Sequence, residues 1–160
     1  METLDILEKI EAFKDFNKDQ LNQIQGYFIK KSFNKDEKIF NEGEDAKIFR
    51  VIIDGEIDMR FDLPGRLTSK LNTVASITKF HAFGLSCFVP PNKYRLSAYC
   101  ASDTCTIIEI EKERLESLFE KDTAVGYYFM KYVINVVGER FNQIQDEVAN
   151  RLGEDIMNGW

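Results

Sequence analysis

The sequence is poor in the residues that build metal sites and disulfide frameworks. It has 160 residues, with three cysteines and a single histidine, His81. An odd cysteine count without a CxxC pair suits neither a disulfide framework nor a zinc site. We therefore expect Cys87, Cys100 and Cys105 to be reduced thiols in a cytoplasmic protein. With one histidine and no Ser–His–Asp order, the chain has few groups for acid–base catalysis, and the sequence predicts that it is not an enzyme.

Long apolar runs and an excess of positive charge are also absent. No segment approaches the roughly 18 consecutive apolar residues of a membrane span, and the first residues lack the basic and apolar regions of a signal peptide. Lys and Arg number 21 against 27 Asp and Glu, a formal net charge of −6. Because nucleic-acid binders neutralise phosphates with basic side chains, we do not expect a nucleic acid as partner. Because no long apolar run is present, we do not expect a membrane as partner either.

The spacing of apolar residues divides the chain into three parts of one domain, residues 1–160. Residues 1–26 have apolar residues at three-residue steps, which predicts short helices. Residues 27–110 contain seven short runs rich in Ile, Val, Phe and Tyr, separated by turn residues. Residues 111–160 return to helical spacing. The pattern predicts a mainly β fold with flanking helices, in which the strands form a barrel or jelly roll.

A long helix is predicted at about residues 122–157. Its apolar residues recur every three or four positions, at Val133, Val137, Phe141, Ile144, Val148, Leu152 and Ile156. A stripe this long exceeds what a small barrel can cover, so the pattern favours a homodimer of coiled-coil type. The alternative is that the first half packs on the barrel and the second half frays. Gly138 and Gly153 argue against an unbroken helix, because each costs about 1 kcal/mol relative to Ala.

Residues 83–101 carry the strongest candidate for a binding site. Gly84 enters a tight turn, and successive backbone N–H groups of such a turn form an anion-binding nest. Arg95 stands at the start of a predicted strand, and a guanidinium facing the nest clamps a phosphate bidentately. In an acidic chain, this arrangement holds one phosphate without a broad basic surface.

The same segment resembles the phosphate-binding cassette of the cyclic nucleotide-binding domain family. That cassette reads Phe-Gly-Glu, then Arg about ten residues later, then small residues and an Ala six after the Arg. Here Phe83 and Gly84 open the segment, Arg95 follows Gly84 by eleven residues, and Ala101 follows Arg95 by six. The resemblance extends from about Phe13 to the long helix.

The resemblance implies a double-stranded β-helix, or jelly roll, that acts as a regulatory sensor. Its ligand would be a cyclic nucleotide, cAMP or cGMP, or a similar small phosphate-containing molecule, and no other cofactor is implied. The signal would pass through the C-terminal helix to an effector protein. The ligand-binding residues carried over from the family are Gly84, Leu85, Ser86, Cys87, Arg95, Leu96 and Ser97. We further expect Ile144, Gln145 and Val148 of the long helix to form a lid over the pocket.

Two positions depart from the family's pattern and favour other readings. Leu85 replaces the family's Glu, which binds the ribose 2′-hydroxyl, and a buried hydroxyl without a partner costs about 1–3 kcal/mol. Leu96 stands where a small hydroxyl residue often follows the Arg, with Ser97 one position later. These changes favour a second hypothesis, a protein-interaction or dimerisation module that kept the fold but lost nucleotide binding.

A third hypothesis is a haem or redox sensor with His81 as the ligand.

Overall fold

Two four-stranded antiparallel sheets share one core in the computed structural model, which describes residues 3–159. The strand order is β1-β8-β3-β6 in the first sheet and β2-β7-β4-β5 in the second. The strands are β1 Ile29–Asn34, β2 Lys38–Phe40, β3 Ile48–Asp54, β4 Glu56–Arg60, β5 Thr73–Thr78, β6 Ala82–Phe83, β7 Ser97–Cys100 and β8 Thr104–Glu111. The described chain thus has one strand more than the seven predicted. The additional strand is β6, whose two residues pair with β3.

The second sheet separates apolar from charged side chains by the period-two alternation of its strands. On β4, Ile57 and Met59 face the core, whereas Asp58 and Arg60 point to the opposite face. Met59 pairs with one residue of β5 and one of β7, and both partners are alanines. The inner face of this sheet is therefore lined by small and apolar side chains.

Helices flank the sheets at both ends of the chain. They are α1 Thr3–Leu7, α2 Lys18–Gln25, α3 Lys112–Lys121 and α4 Thr123–Asn158, and short 3-10 helices occupy Glu11–Phe13, Lys70–Asn72 and Leu85–Phe88. Asp122 caps α4, because its side chain accepts hydrogen bonds from the backbone N–H groups of Ala124 and Val125. Within residues 3–159, no helix combines the length and apolar character needed to cross a bilayer.

Helix α4 runs unbroken for 36 residues, through both Gly138 and Gly153. Its first turns complete the core: the Phe129 ring lies 5.0 Å from that of Phe49, measured between centroids. Farther along, the apolar stripe loses its cover, and Phe141 is already 59% exposed. The exposed apolar residues of this second half are Phe141, Ile144, Val148, Leu152, Ile156 and Met157.

The turn between β3 and β4 depends on glycine at position 55. Gly55 has φ +85°, and the Cβ of an alanine there would lie 2.5 Å from the Ser102 hydroxyl and 2.6 Å from the Thr104 carbonyl oxygen. Gly43 has the same φ, but nothing lies within 4 Å of a Cβ at that position. Substitution of the two glycines therefore separates the effect of backbone strain, common to both, from that of steric overlap, which only Gly55 has.

We predict that Gly55→Ala lowers the free energy of unfolding by about 2–5 kcal/mol, since a left-handed conformation and a steric clash add. Gly43→Ala is the matched control and loses about 1–2 kcal/mol from the backbone alone. Urea denaturation followed by circular dichroism measures both. Equal losses would contradict the close approach of the β7–β8 turn to Gly55.

Candidate functional site

A cavity of about 620 Å³ lies between the second sheet and α4. This volume is in the range of small-molecule sites. The sheet side of the wall comprises Met59, Val74, Ala75, Ser76, Ile77, Thr78, His81, Ala82 and Leu96. The helix side comprises Tyr132, Asn135, Val136, Glu139, Arg140, Gln143, Ile144 and Glu147, and Glu11 and Lys14 complete the rim.

The helix side of the cavity is one face of α4, whose residues recur at three- and four-residue steps from Tyr132 to Glu147. The Tyr132 hydroxyl accepts a hydrogen bond from the backbone N–H of Ala82 at 3.4 Å, which ties the helix to β6. Burial raises the pKa of Tyr132 above its usual range. Burial also lowers the pKa of the partly buried Arg140. Sequence reasoning missed this face because it followed the apolar stripe next to it.

The first residues of the predicted cassette are used for packing and do not line the cavity. Gly84 has φ +73°, and a Cβ added there would lie 3.6 Å from the Tyr94 ring. Leu85 and Cys87 are buried in the core, and Ser86 is partly buried. The Asn92 amide donates hydrogen bonds to the carbonyls of Ser86 at 3.3 Å and Cys87 at 2.8 Å, so the side chain braces the loop from within.

The Cys87 thiol is fully buried. Burial raises its pKa to about 12. At neutral pH it is therefore protonated, and it acts as a small apolar side chain of the core.

The predicted anion clamp, Arg95, lies in the bend just before β7. Arg95 is exposed and is not part of the cavity wall, whereas Leu96 is. Ser97 is fully buried on the other face of the sheet, where its hydroxyl accepts from the Glu42 N–H at 2.9 Å and donates to Asp62. Leu96 lies in the bend just before β7, so of these two neighbours only Leu96 borders the cavity.

Of the three residues predicted to form a lid, one lines the cavity. Ile144 lies at the edge of the cavity and is 60% exposed. Gln145 and Val148 are exposed on α4 but do not line the cavity, whereas Gln143 and Glu147 do. The cavity-facing side of the helix is thus displaced around the helix axis from the apolar stripe.

A buried ion pair underlies the cassette. Arg50 donates from Nε to Glu109 Oε1 at 2.8 Å and from Nη1 to the Tyr94 hydroxyl at 2.6 Å. Its guanidinium lies 5.0 Å from the centroid of the Phe40 ring. Lys31 pairs with the other Glu109 oxygen at 2.7 Å. A charge within the apolar run of β3 was the sequence signal that could have revealed this network.

A second charged cluster occupies the outer face of the second sheet. Arg60 is 1% exposed, donates to Asp58 at 2.8 Å and stacks on the Tyr99 ring at 4.9 Å. Burial alone would raise the pKa of Asp58, but hydrogen bonds from Arg60 and Ser76 outweigh it and hold the pKa below its usual value. The charged form of Asp58 is thus part of the folded state.

His81 lies on the cavity wall and is exposed, with Nδ1 3.1 Å from the Lys79 carbonyl oxygen. Across residues 3–159, no group of three or more His, Cys, Asp or Glu side chains is placed to hold a metal ion. A haem ligand role for His81 stays a prediction.

Solved structures resemble this chain along most of its length. A protein from Geobacter metallireducens GS-15, assigned as a cyclic nucleotide-binding protein, superposes with a TM-score of 0.72 at 24% identity, covering 88% of this chain and 99% of that one. A cyclic nucleotide-binding domain from Methylobacillus flagellatus KT gives 0.74 at 18% identity, covering 92% and 81%. The Thermus thermophilus catabolite activator protein gives 0.68 at 16% identity, covering 86% and 61%.

The chain has the cyclic nucleotide-binding domain fold. The resemblance noted in the sequence is thereby confirmed at the level of fold, as is the predicted jelly-roll type with a long C-terminal helix. No family model matches the sequence, and no curated protein matches it.

We predict that Asp58→Asn lowers the free energy of unfolding at pH 7 by about 3 kcal/mol, because it removes the carboxylate of a buried ion pair. The depressed pKa of Asp58 means that its contribution is present above the unfolded value of about 3.9 and is lost as pH falls through the folded value. Denaturant titrations at pH 7 and pH 3 test both statements.

The difference in stability between wild type and Asp58→Asn should shrink on acidification. The exposed Asp15→Asn serves as the control and should leave the pH profile unchanged. A difference that stays constant down to pH 3 would contradict the assignment.

Proposed function

We propose that this chain is a regulatory binding module whose cavity accepts a cyclic nucleotide or a similar small phosphate-containing ligand. The observation that carries the proposal is the cavity itself, which has the size of a small-molecule site and has α4 as one wall. The cyclic nucleotide-binding fold and the neighbours named for cyclic nucleotide binding support it.

The position of α4 explains how ligand binding would produce a signal. A ligand in the cavity contacts the sheet and the helix at once, so it binds more tightly to the arrangement in which both surfaces fit it. Differential affinity of this kind shifts the population between two helix positions. The hydrogen bond between Ala82 and Tyr132 lies in the cavity wall and is the contact that such a shift would alter first.

The partner at the far half of α4 is, in this proposal, a second copy of the chain. Val148, Leu152 and Ile156 are 51%, 57% and 65% exposed at four-residue spacing, which is the pattern of a helix that pairs with another helix. Ile144 belongs both to this stripe and to the cavity wall. Ligand binding and helix pairing therefore share a residue, and an effector protein would read the resulting change.

The second candidate, a dimerisation module without a ligand, is favoured by two leucines. Leu85 is buried in the core and Leu96 stands in the cavity wall, so neither position supplies a polar group to a ribose or a phosphate. Ligand titration separates the two functions, since only the sensing module binds in the cavity.

We predict that cyclic AMP or cyclic GMP binds wild type and that Ala75→Trp weakens binding by at least about tenfold, because an indole occupies the cavity. Ala124→Trp is the matched control, since Ala124 is also an exposed alanine but lies at the start of α4, away from the cavity. Isothermal titration calorimetry measures both. Absence of heat with either nucleotide at millimolar concentration would exclude a cyclic nucleotide as the ligand.

We predict that wild type is a dimer and that Val148→Glu with Leu152→Glu makes it monomeric, because two charges per helix enter the apolar contact. Asn142→Glu with Asn150→Glu adds the same charge at exposed positions away from the stripe and should leave the dimer intact. Sedimentation equilibrium measures the mass. A monomeric wild type would refute the pairing.

A further inference from the structure

Arg140 is exceptional among the arginines of residues 3–159. Two others, Arg50 and Arg60, are buried, and each is paired with a carboxylate at 2.8 Å. Arg140 is partly buried in the cavity wall, but it makes no hydrogen bond or ion pair with any described residue. The remaining arginines are exposed.

The acidic residues around the cavity do not neutralise Arg140. Glu11 pairs with Lys14 at 3.4 Å, and Glu147 pairs with Arg151. Glu139 is exposed and directly precedes Arg140 on the helix, and consecutive helical residues do not face each other. The positive charge of Arg140 is therefore available to a ligand in the cavity.

An unpaired, partly desolvated guanidinium is unfavourable for the folded state. Arginine keeps its charge in proteins, so it cannot relieve this cost by losing a proton. Burial nevertheless lowers the pKa of Arg140, which is the sign of lost hydration. An anion that enters the cavity would replace that hydration with a charge-assisted hydrogen bond.

The other side chains of the cavity wall indicate the chemistry of the uncharged part of such a ligand. Met59, Ile77, Leu96 and Val136 present apolar surface, and Tyr132 adds an aromatic ring. A bare inorganic anion would leave this surface without contacts. An anionic group joined to an apolar or aromatic body satisfies both the cation and the apolar wall.

We propose that Arg140 is the anion anchor of the cavity and that the ligand is an organic anion whose charged group binds Arg140 and whose apolar or aromatic body fills the rest. This inference rests on the proposed ligand-sensing function and replaces Arg95 as the source of the cation. Cyclic nucleotides share this chemistry with aromatic sulfonates and aliphatic carboxylates.

The location of the anchor has a consequence for signalling. Arg140 belongs to α4, so the strongest polar contact of the ligand is made with the helix, while the sheet contributes apolar contacts. The ligand therefore joins the helix to the sheet by two different interactions. Loss of the anchor should weaken both ligand affinity and any ligand-dependent change in α4.

The test is a titration of the full chain with four organic anions: cyclic AMP, cyclic GMP, 8-anilinonaphthalene-1-sulfonate and decanoate. The variants are Arg140→Gln, Arg140→Lys and, as the matched control, Arg95→Gln. We expect Arg140→Gln to lower the affinity for the anion by about 10- to 100-fold, which corresponds to the loss of one charge-assisted hydrogen bond. Arg140→Lys should retain part of the affinity, and Arg95→Gln should bind like wild type.

Thermal unfolding of the ligand-free proteins gives an independent readout. Because the unpaired charge is unfavourable, Arg140→Gln should melt no lower than wild type, so lost binding would not reflect unfolding. A clearly lower melting temperature would mean that Arg140 has a structural role, and it would overturn the proposal.

The outcomes separate this inference from the proposed function. If cyclic AMP or cyclic GMP binds wild type and Arg140→Gln equally well, the anchor is refuted while the sensing function stands. If Arg95→Gln loses affinity and Arg140→Gln does not, the cation lies in the cassette and the anchor is again refuted. If none of the four anions binds wild type, the proposed function itself fails.

Discussion

The alternation of side chains on β4 is the constraint on which the candidate site depends. Ile57 and Met59 face inward, whereas Asp58 and Arg60 form an ion pair on the opposite face. A register slip of one residue would exchange these faces and place the charges in the core. The register therefore secures the apolar wall of the cavity and the charged outer cluster together.

Helix α4 has three different surfaces, each in a different environment. Its first turns bury Phe129 in the core. A second face, from Tyr132 to Glu147, closes the cavity. The third is the exposed apolar stripe that begins at Phe141. Because one helix carries all three, a change of contact at the cavity would, in the proposed function, be transmitted to the stripe without any further element. This coupling is the physical basis of the proposed sensing function.

Much of the fold could be predicted from local patterns. The short apolar runs and the apolar spacing of α4 predicted strands and a long helix correctly. Strand β6 was not predicted, because two residues are too few to show a strand's alternation of apolar and polar residues. Only their pairing with β3 makes them a strand. The candidate site was harder to predict from the sequence. Spacing and the family resemblance suggested Arg95 as the phosphate clamp, but spacing does not reveal which side chains border a cavity, and Arg95 is not among those that do.

The sequence by itself determined the element types and their order, because helical and strand periodicity and turn residues act over a few positions. It also predicted that an anionic ligand of this acidic chain would need a local cationic anchor. Only the tertiary structure points to Arg140 as the proposed cation. Arg95 and Arg140 are equivalent as residues, but the first is exposed in the bend before β7, whereas packing of α4 against the sheet partly buries the second in a cavity wall. Burial and the absence of a partner arise from contacts between distant segments, which no local pattern specifies.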